Sequence, residues 1–197
     1  MKEQFLIKSL GLIQHYHAPY TEDELDRLRY GLEGVYLTVT KLIVIGGLAF
    51  LLHIALEVLI LLVLFNIIRY TGFGVHAENS TSCLITSILF FIVIPYILLH
   101  ISILPIIKGV ICLCCLVLYL LYAPADTKKR PFKNEKKRII RKVATLITGI
   151  IFTIALFIVP NTMIQTMLLS ALIIEAIVIS PLTYKLLGQP YNNGKAN

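Results

Sequence analysis

His76 and Cys83 stand seven positions apart in a polar island of a chain that otherwise reads as membrane. The island runs Arg69-Tyr70-Thr71-Gly72-Phe73-Gly74-Val75-His76-Ala77-Glu78-Asn79-Ser80-Thr81-Ser82-Cys83, between apolar runs at 42–68 and 84–104. Such a pair supplies the ingredients of a thiol nucleophile and its base. On one continuous helix the two residues would lie about 10.5 Å apart along the axis, too far for the roughly 3 Å contact that proton transfer needs. The chain must therefore fold back between them. Gly72 and Gly74 loosen the approach, and Asn79-Ser80-Thr81-Ser82 offers N-cap residues for a helix starting there. Cys83 then falls in the first turn of that helix, where unpaired backbone donors and the positive dipole end favour a thiolate. Glu78 and Asn79 are candidate orienters of the imidazole, although capping is the stronger reading of Asn79. Taken alone, the pair fits an ordinary interfacial loop better than a catalytic dyad.

Membrane helices must position these residues. Of the 197 residues, 57% are hydrophobic, and the mean hydropathy is +0.83, more apolar sequence than a soluble core needs. The runs 42–68, 84–104, 106–123, 143–159 and 163–180 are each about long enough to span, or nearly span, ~30 Å of hydrocarbon. The expected fold is an all-α integral membrane protein, a polytopic bundle of about five to six membrane segments with N-terminal amphipathic helices. Residues 1–40 would form those interfacial helices. Residues 41–185 would form the membrane domain, with a catalytic loop at 69–83 and a basic loop at 124–142, and 186–197 a short tail.

In the N-terminal part, Phe5, Leu6, Ile7, Leu10, Leu12 and Ile13 suit a short interfacial helix. Charge is interleaved with these residues and no small-residue cleavage site follows, so a cleavable signal peptide is not expected. Thr21-Glu22-Asp23-Glu24 is a capping box for a second amphipathic helix through Leu25, Leu28, Leu32, Val35 and Leu37. One tilted helix of about 40 Å would accommodate 42–68, with Gly46-Gly47 as a place for a close contact or a break. It would stack His53 and Glu57 on one face as a structural pair. Pro95 should kink the next segment. His15 and His17 have no further ligand at a useful spacing, and Cys112, Cys114 and Cys115 lack the separated pairs of a zinc site. They read as interfacial polar residues and small apolar filler, and no metal or cofactor is expected.

Nine of the 18 Lys/Arg residues fall between Lys128 and Lys142, against one acid, Glu135. Short loops of this kind stay in the cytoplasm. That orientation puts the 69–83 loop and the C-terminus inside and Pro160-Asn161 outside. The cytoplasm keeps thiols reduced, so Cys83 would stay out of a structural disulfide. The side of residues 1–40 is open: one crossing by 42–68 leaves them outside, whereas an extra crossing or a re-entrant hairpin keeps them inside.

Arg69, Gly74-Val75-His76-Ala77 and Cys83, then Tyr122-Ala123-Pro124-Ala125-Asp126-Thr127-Lys128-Lys129-Arg130-Pro131, resemble the accessory gene regulator B (AgrB) family, membrane cysteine endopeptidases of Gram-positive quorum sensing. The late Ile173-Ile174-Glu175-Ala176 resembles that family's last membrane segment. Phe73 departs from the pattern, where a small or polar residue is expected. The resemblance implies a propeptide substrate of the AgrD type, with an amphipathic helix, a cysteine-containing core and an acidic tail. It implies Cys83 as nucleophile, His76 as base, and a thioester that the peptide's own cysteine displaces to close a thiolactone. Arg69 would orient a peptide carboxylate or carbonyl, or anchor the helix end to lipid phosphate. Gly74 and Glu78 would be supporting or substrate-binding residues, and Lys128, Lys129 and Arg130 would hold the acidic tail or only enforce topology. The expected partners are the propeptide and membrane lipids, with a homodimer as an option and no nucleic acid. Two other classes compete. A transporter would work through His53, Glu57, His100, Lys108 and Glu175 inside the bilayer, and a lipid-binding scaffold would use the 128–142 charges.

Overall fold

The structure, a computed structural model, describes residues 2–16, 20–74, 80–126 and 134–191. Among these residues the chain is helical, in the order α1 (Lys2–Tyr16), α2 (Glu22–Leu51), α3 (Ala55–Gly72), α4 (Ser80–Ile88), α5 (Ile94–His100), α6 (Pro105–Tyr122), α7 (Glu135–Ile158), α8 (Thr162–Ile179) and α9 (Pro181–Leu186). A π turn, Leu89–Val93, joins α4 to α5. The chain divides into two compact units, Met1–Gly47 and Leu48–Asn197.

In the first unit, α2 starts where the capping box places it. The Thr21 N–H and hydroxyl both donate to the Glu24 carboxylate at 2.9 Å, and Glu22, Asp23 and Glu24 put negative charge at the positive end of the helix. On α1, Leu6 is buried and the Phe5 ring lies 5.3 Å from that of Tyr36. Arg29 pairs with Glu3 at 3.3 Å, an exposed contact contributing at most about 1 kcal/mol. His17 lies outside the described residues.

The 42–68 run is not one helix. The second N-terminal helix and the start of this run form a single element, α2, which ends at Leu51. Leu52 and His53 then make a turn with His53 at φ +57°. Ile54 donates back to Ala49 O at 2.9 Å, and α3 starts at Ala55. Histidine tolerates the left-handed region better than the β-branched and bulky residues around it. The interruption falls there and not at Gly46-Gly47, which lie inside α2. His53 is thus in the turn and Glu57 in the first turn of α3, so the helical spacing that would stack them does not apply. Among the described residues, six helical segments are consequently long and apolar enough to cross a membrane: Glu22–Leu51, Ala55–Gly72, Thr81–His100, Pro105–Tyr122, Glu135–Ile158 and Thr162–Ile179. This is a multi-pass, all-α membrane architecture.

The disturbance expected from Pro95 takes the form of the π turn. Ile94 N–H reaches Leu89 O, five residues back. The wider turn gives the proline ring room and passes over its missing donor without ending the helix.

In the second unit α8 is the axis. Met167 to Leu172 are all buried, as are Ile174, Glu175, Ala176, Val178 and Ile179, the pattern of a helix that is apolar on every side. Helices α3, α5, α6 and α7 pack on it. The α6 sequence shows why its orientation is fixed. Cys112, Cys115 and Tyr119 face inward and are buried, and the Tyr119 hydroxyl donates to Leu172 O at 2.6 Å. Ile106, Val110, Leu113, Val117 and Leu120 are exposed on the opposite side, a surface that suits lipid and not water. Cys112 and Cys115 are the buried filler expected of them, whereas Cys114 is exposed.

Candidate active site

The last turn of α3 carries the start of the island. Arg69 is turned inward. Its guanidinium donates to the carbonyls of Phe73 and Gly74, the latter at 3.0 Å, and its Nη1 lies 3.9 Å from Glu175 Oε2. It therefore binds the chain's own carbonyls. Phe73 N–H closes the helix on Arg69 O at 3.0 Å. The backbone then leaves α3 through two positive φ values, 61° at Phe73 and 110° at Gly74.

A second segment fastens this exit. Gly74 N–H donates to Ala125 O at 2.9 Å and Ala125 N–H to Gly72 O at 3.1 Å, a parallel bridge between Phe73 and Ala125. Residues 123–126 are buried throughout, with a cis bond at Ala123-Pro124. The start of α9 holds that turn in place, since the Tyr184 hydroxyl donates to Asp126 O at 2.8 Å. Burial pushes the Tyr184 phenol well above its ordinary value, so it remains a protonated donor. Tyr191 stacks edge-on to Tyr184, ring centroids 5.0 Å apart. From α7, Arg141 Nη1 donates to Tyr70 O at 2.6 Å, and its guanidinium lies 4.7 Å from the Tyr70 ring centroid and 5.1 Å from that of Phe73. The bulky residue at 73 is thus a surface for an arginine.

Gly74 is obligatory on two counts. Its φ favours glycine, and a Cβ there would run into Arg69 Nη1 and come within 2.8 Å of Val178 Cγ1. At Gly72 a Cβ would run into Glu175 Oε1.

Across the loop, Cys83 is half-buried in the first turn of α4 and in no disulfide. Its carbonyl accepts from the hydroxyls of Thr86 at 3.1 Å and Ser87 at 2.7 Å. His76, Glu78 and Asn79, and Lys128, Lys129 and Arg130 of the basic loop, lie outside the described residues. Of the site residues expected from sequence, Arg69 and Gly74 meet directly, and Cys83 lies in the first turn of α4. Among the described residues, no cluster of three or more His, Cys, Asp or Glu could hold a metal ion.

Sequence reasoning missed Arg141 and Tyr184. Arg141 had been counted as one topology charge among nine. A signal was present: Arg141 continues the inward stripe Thr145, Gly149, Phe152 and Leu156 of α7, so it falls on the buried face at helical spacing. The ionisable residues a transporter would use are not brought together. His100 contacts Tyr96 O at 2.8 Å, Lys108 donates to Gln165 at 2.8 Å, and Glu175 faces Arg69.

The family model for accessory gene regulator B matches residues 4–179. An AgrB-like protein of Clostridium acetobutylicum is 29% identical over 188 residues, 95% of this chain and 90% of its own length. The accessory gene regulator protein B of Staphylococcus carnosus is 34% identical over 141 residues, 69% of this chain and 74% of its own. That of Staphylococcus saprophyticus is 31% identical over 167 residues, 82% and 87%. No solved structure matches the chain. With the family model spanning nearly the whole membrane region, and the fastened loop lying inside the matched span, the chain belongs to the accessory gene regulator B family.

Proposed function

We propose that the chain is a membrane-embedded cysteine endopeptidase that removes the C-terminal tail of an AgrD-type autoinducer propeptide and promotes thiolactone closure. The observation that carries this reading is the placement of Cys83. It sits half-buried in the first turn of α4, one short loop beyond an exit from α3 that three other segments hold. A loop fixed at its root gives a base within it a repeatable direction of approach to the thiol.

His76 takes the thiol proton as Cys83 Sγ adds to the carbonyl of the bond after the peptide core. The C–N bond breaks, His76 returns the proton to the leaving amine, and the core stays on Cys83 as a thioester. The peptide's own cysteine thiol then gives its proton to His76 and attacks that thioester, releasing Cys83 and closing the ring. The exchange of one thioester for another is nearly isoenergetic, so excluding water decides between ring closure and hydrolysis. Proteoliposomes holding the Cys83→Ala protein test the proposal: tail removal at the wild-type rate ends it.

In this reading the catalytic loop faces the cytoplasm. The 128–142 charges direct it there. Single cysteines at Asn134 and near Asn193 (the latter outside the described residues), in a background without native thiols, label only from inside. One at Asn161, which caps α8 through Met163 N–H at 2.9 Å, labels from outside. External labelling at position 134 overturns the orientation.

Lys128, Lys129 and Arg130 hold the acidic tail of the propeptide. Replacing all three by glutamine raises KM at low salt, and the difference shrinks as salt shortens the Debye length below about 8–10 Å. A propeptide with a neutralised tail is much less sensitive. Equal rates on both propeptides at every salt concentration would reduce these charges to a topology signal.

A further inference from the structure

Glu175 has no exposed surface, and neither of its carboxylate oxygens has a hydrogen-bond partner among the described residues. It faces the end of α3 from α8, with Oε2 3.9 Å from Arg69 Nη1 and Cδ 3.1 Å from where a Cβ of residue 72 would stand. A buried carboxylate without hydrogen bonds is a poor source of stability, and apolar residues of similar volume often do as well or better in such a place. The pair does, however, have a direction. The guanidinium is a rigid fork of donors, and two of its N–H groups go to the Phe73 and Gly74 carbonyls, the first two residues after α3. Behind it stands the carboxyl group of Glu175. Gly72, lacking a side chain, lets the carboxylate approach.

We propose that Glu175 is a positioning residue of the peptidase: its charge holds Arg69 against the Phe73 and Gly74 carbonyls and so fixes the direction in which the loop toward His76 leaves α3. This rests on the peptidase reading above, and it adds a residue from the centre of the bundle that touches neither substrate nor thiol. Removing the charge should loosen the exit and slow turnover while leaving propeptide binding alone, because the groups that meet the substrate are unchanged.

The test uses the full chain in proteoliposomes, a synthetic AgrD-type propeptide, and hydrogen exchange at the Gly74 and Ala125 amides, whose acceptors are Ala125 O and Gly72 O. Glu175→Gln, which keeps shape and removes charge, is expected to lower kcat at least tenfold with KM within twofold. It should speed exchange at both amides tenfold or more while α6 and α8 stay protected. Glu175→Asp, which keeps the charge, recovers most of both effects, as a purely packing role would not. Unchanged exchange and kcat in Glu175→Gln, or a Glu175→Asp variant no better than it, overturns the proposal. Should Glu175→Gln fail to accumulate, the paired variant Arg69→Met/Glu175→Leu removes both charges and leaves none buried alone. It is expected to insert and still lose turnover, and wild-type turnover by it overturns the proposal equally. Tail removal by Cys83→Ala would sink the peptidase reading separately, and amide exchange would still decide whether Glu175 holds the exit.

Discussion

Cys83→Ser reduces propeptide processing by at least about 10³-fold, and His76→Ala does nearly the same. A serine hydroxyl is a far weaker acid than a thiol, so the imidazole cannot generate the nucleophile at neutral pH. Loss of general acid–base help alone is worth about 10²–10⁴-fold. Because the two groups act as one unit, Cys83→Ala/His76→Ala should be no slower than Cys83→Ala within a factor of a few. The remaining cysteines serve as internal controls. Cys112 and Cys115 are buried on the inward face of α6 and Cys114 is exposed on its outer side, so alanine or serine there leaves turnover intact. A helical serine can bond its hydroxyl to a carbonyl one turn back, which limits the cost of burying it. Single-turnover cleavage in proteoliposomes, with accumulation of each variant measured alongside, reads all of these. A fast Cys83→Ala protein, or a double variant much slower than either single one, contradicts a dyad.

Local chemistry was legible in the sequence, and tertiary partnership was not. The Thr21–Glu24 box needs only four consecutive residues, and its carboxylate half forms, Glu24 accepting from the Thr21 N–H and hydroxyl. The start of α4 at Ser80 likewise follows from the run of capping residues before the apolar stretch. The break at His53 escaped because hydropathy measures affinity for lipid, and 42–68 is apolar on both sides of it. Nothing in that signal reports a change of backbone direction, and Gly46, Gly47 and Asn66 in the same run tolerate a positive φ at least as well as His53, so residue type did not single out the turn. The turn also shows that α2 reaches back to Glu22, since its amphipathic first half and its apolar second half are one helix. The Arg69–Glu175 approach joins residues that no local period relates. Glu175 could be flagged as an ionisable residue in an apolar helix, but not assigned to the loop, because only the packing of α3 on α8 brings them together. Arg141 was obscured for a different reason. Its neighbours Lys136, Lys137 and Lys142 suffice to explain a basic loop, so a charge that also lies on the buried stripe of α7 adds nothing to a count.

Gly74→Ala is expected to destabilise the membrane unit and to cut processing by more than tenfold. The argument is geometric. At φ +110° an L side chain is strained whatever surrounds it, at a cost of about 1–3 kcal/mol. The added methyl would also run into Arg69 Nη1 and come within 2.8 Å of Val178 Cγ1 and 3.0 Å of Val178 O. The arginine tip could yield, but then it would release the Phe73 and Gly74 carbonyls. The α8 backbone at Val178 cannot yield without moving the most buried helix of the bundle. Either response redirects the loop root, and a tenfold loss of rate needs only about 1.4 kcal/mol of lost transition-state alignment. Gly31→Ala is the contrast, because Gly31 lies inside α2 with nothing within 4 Å of an added Cβ. There alanine should leave processing unchanged and stabilise the helix by about 0.5–1 kcal/mol. Thermal unfolding in detergent and cleavage in proteoliposomes separate the two substitutions. If Gly74→Ala melted and cleaved like the unaltered protein, the loop root would not depend on the turn that now holds it.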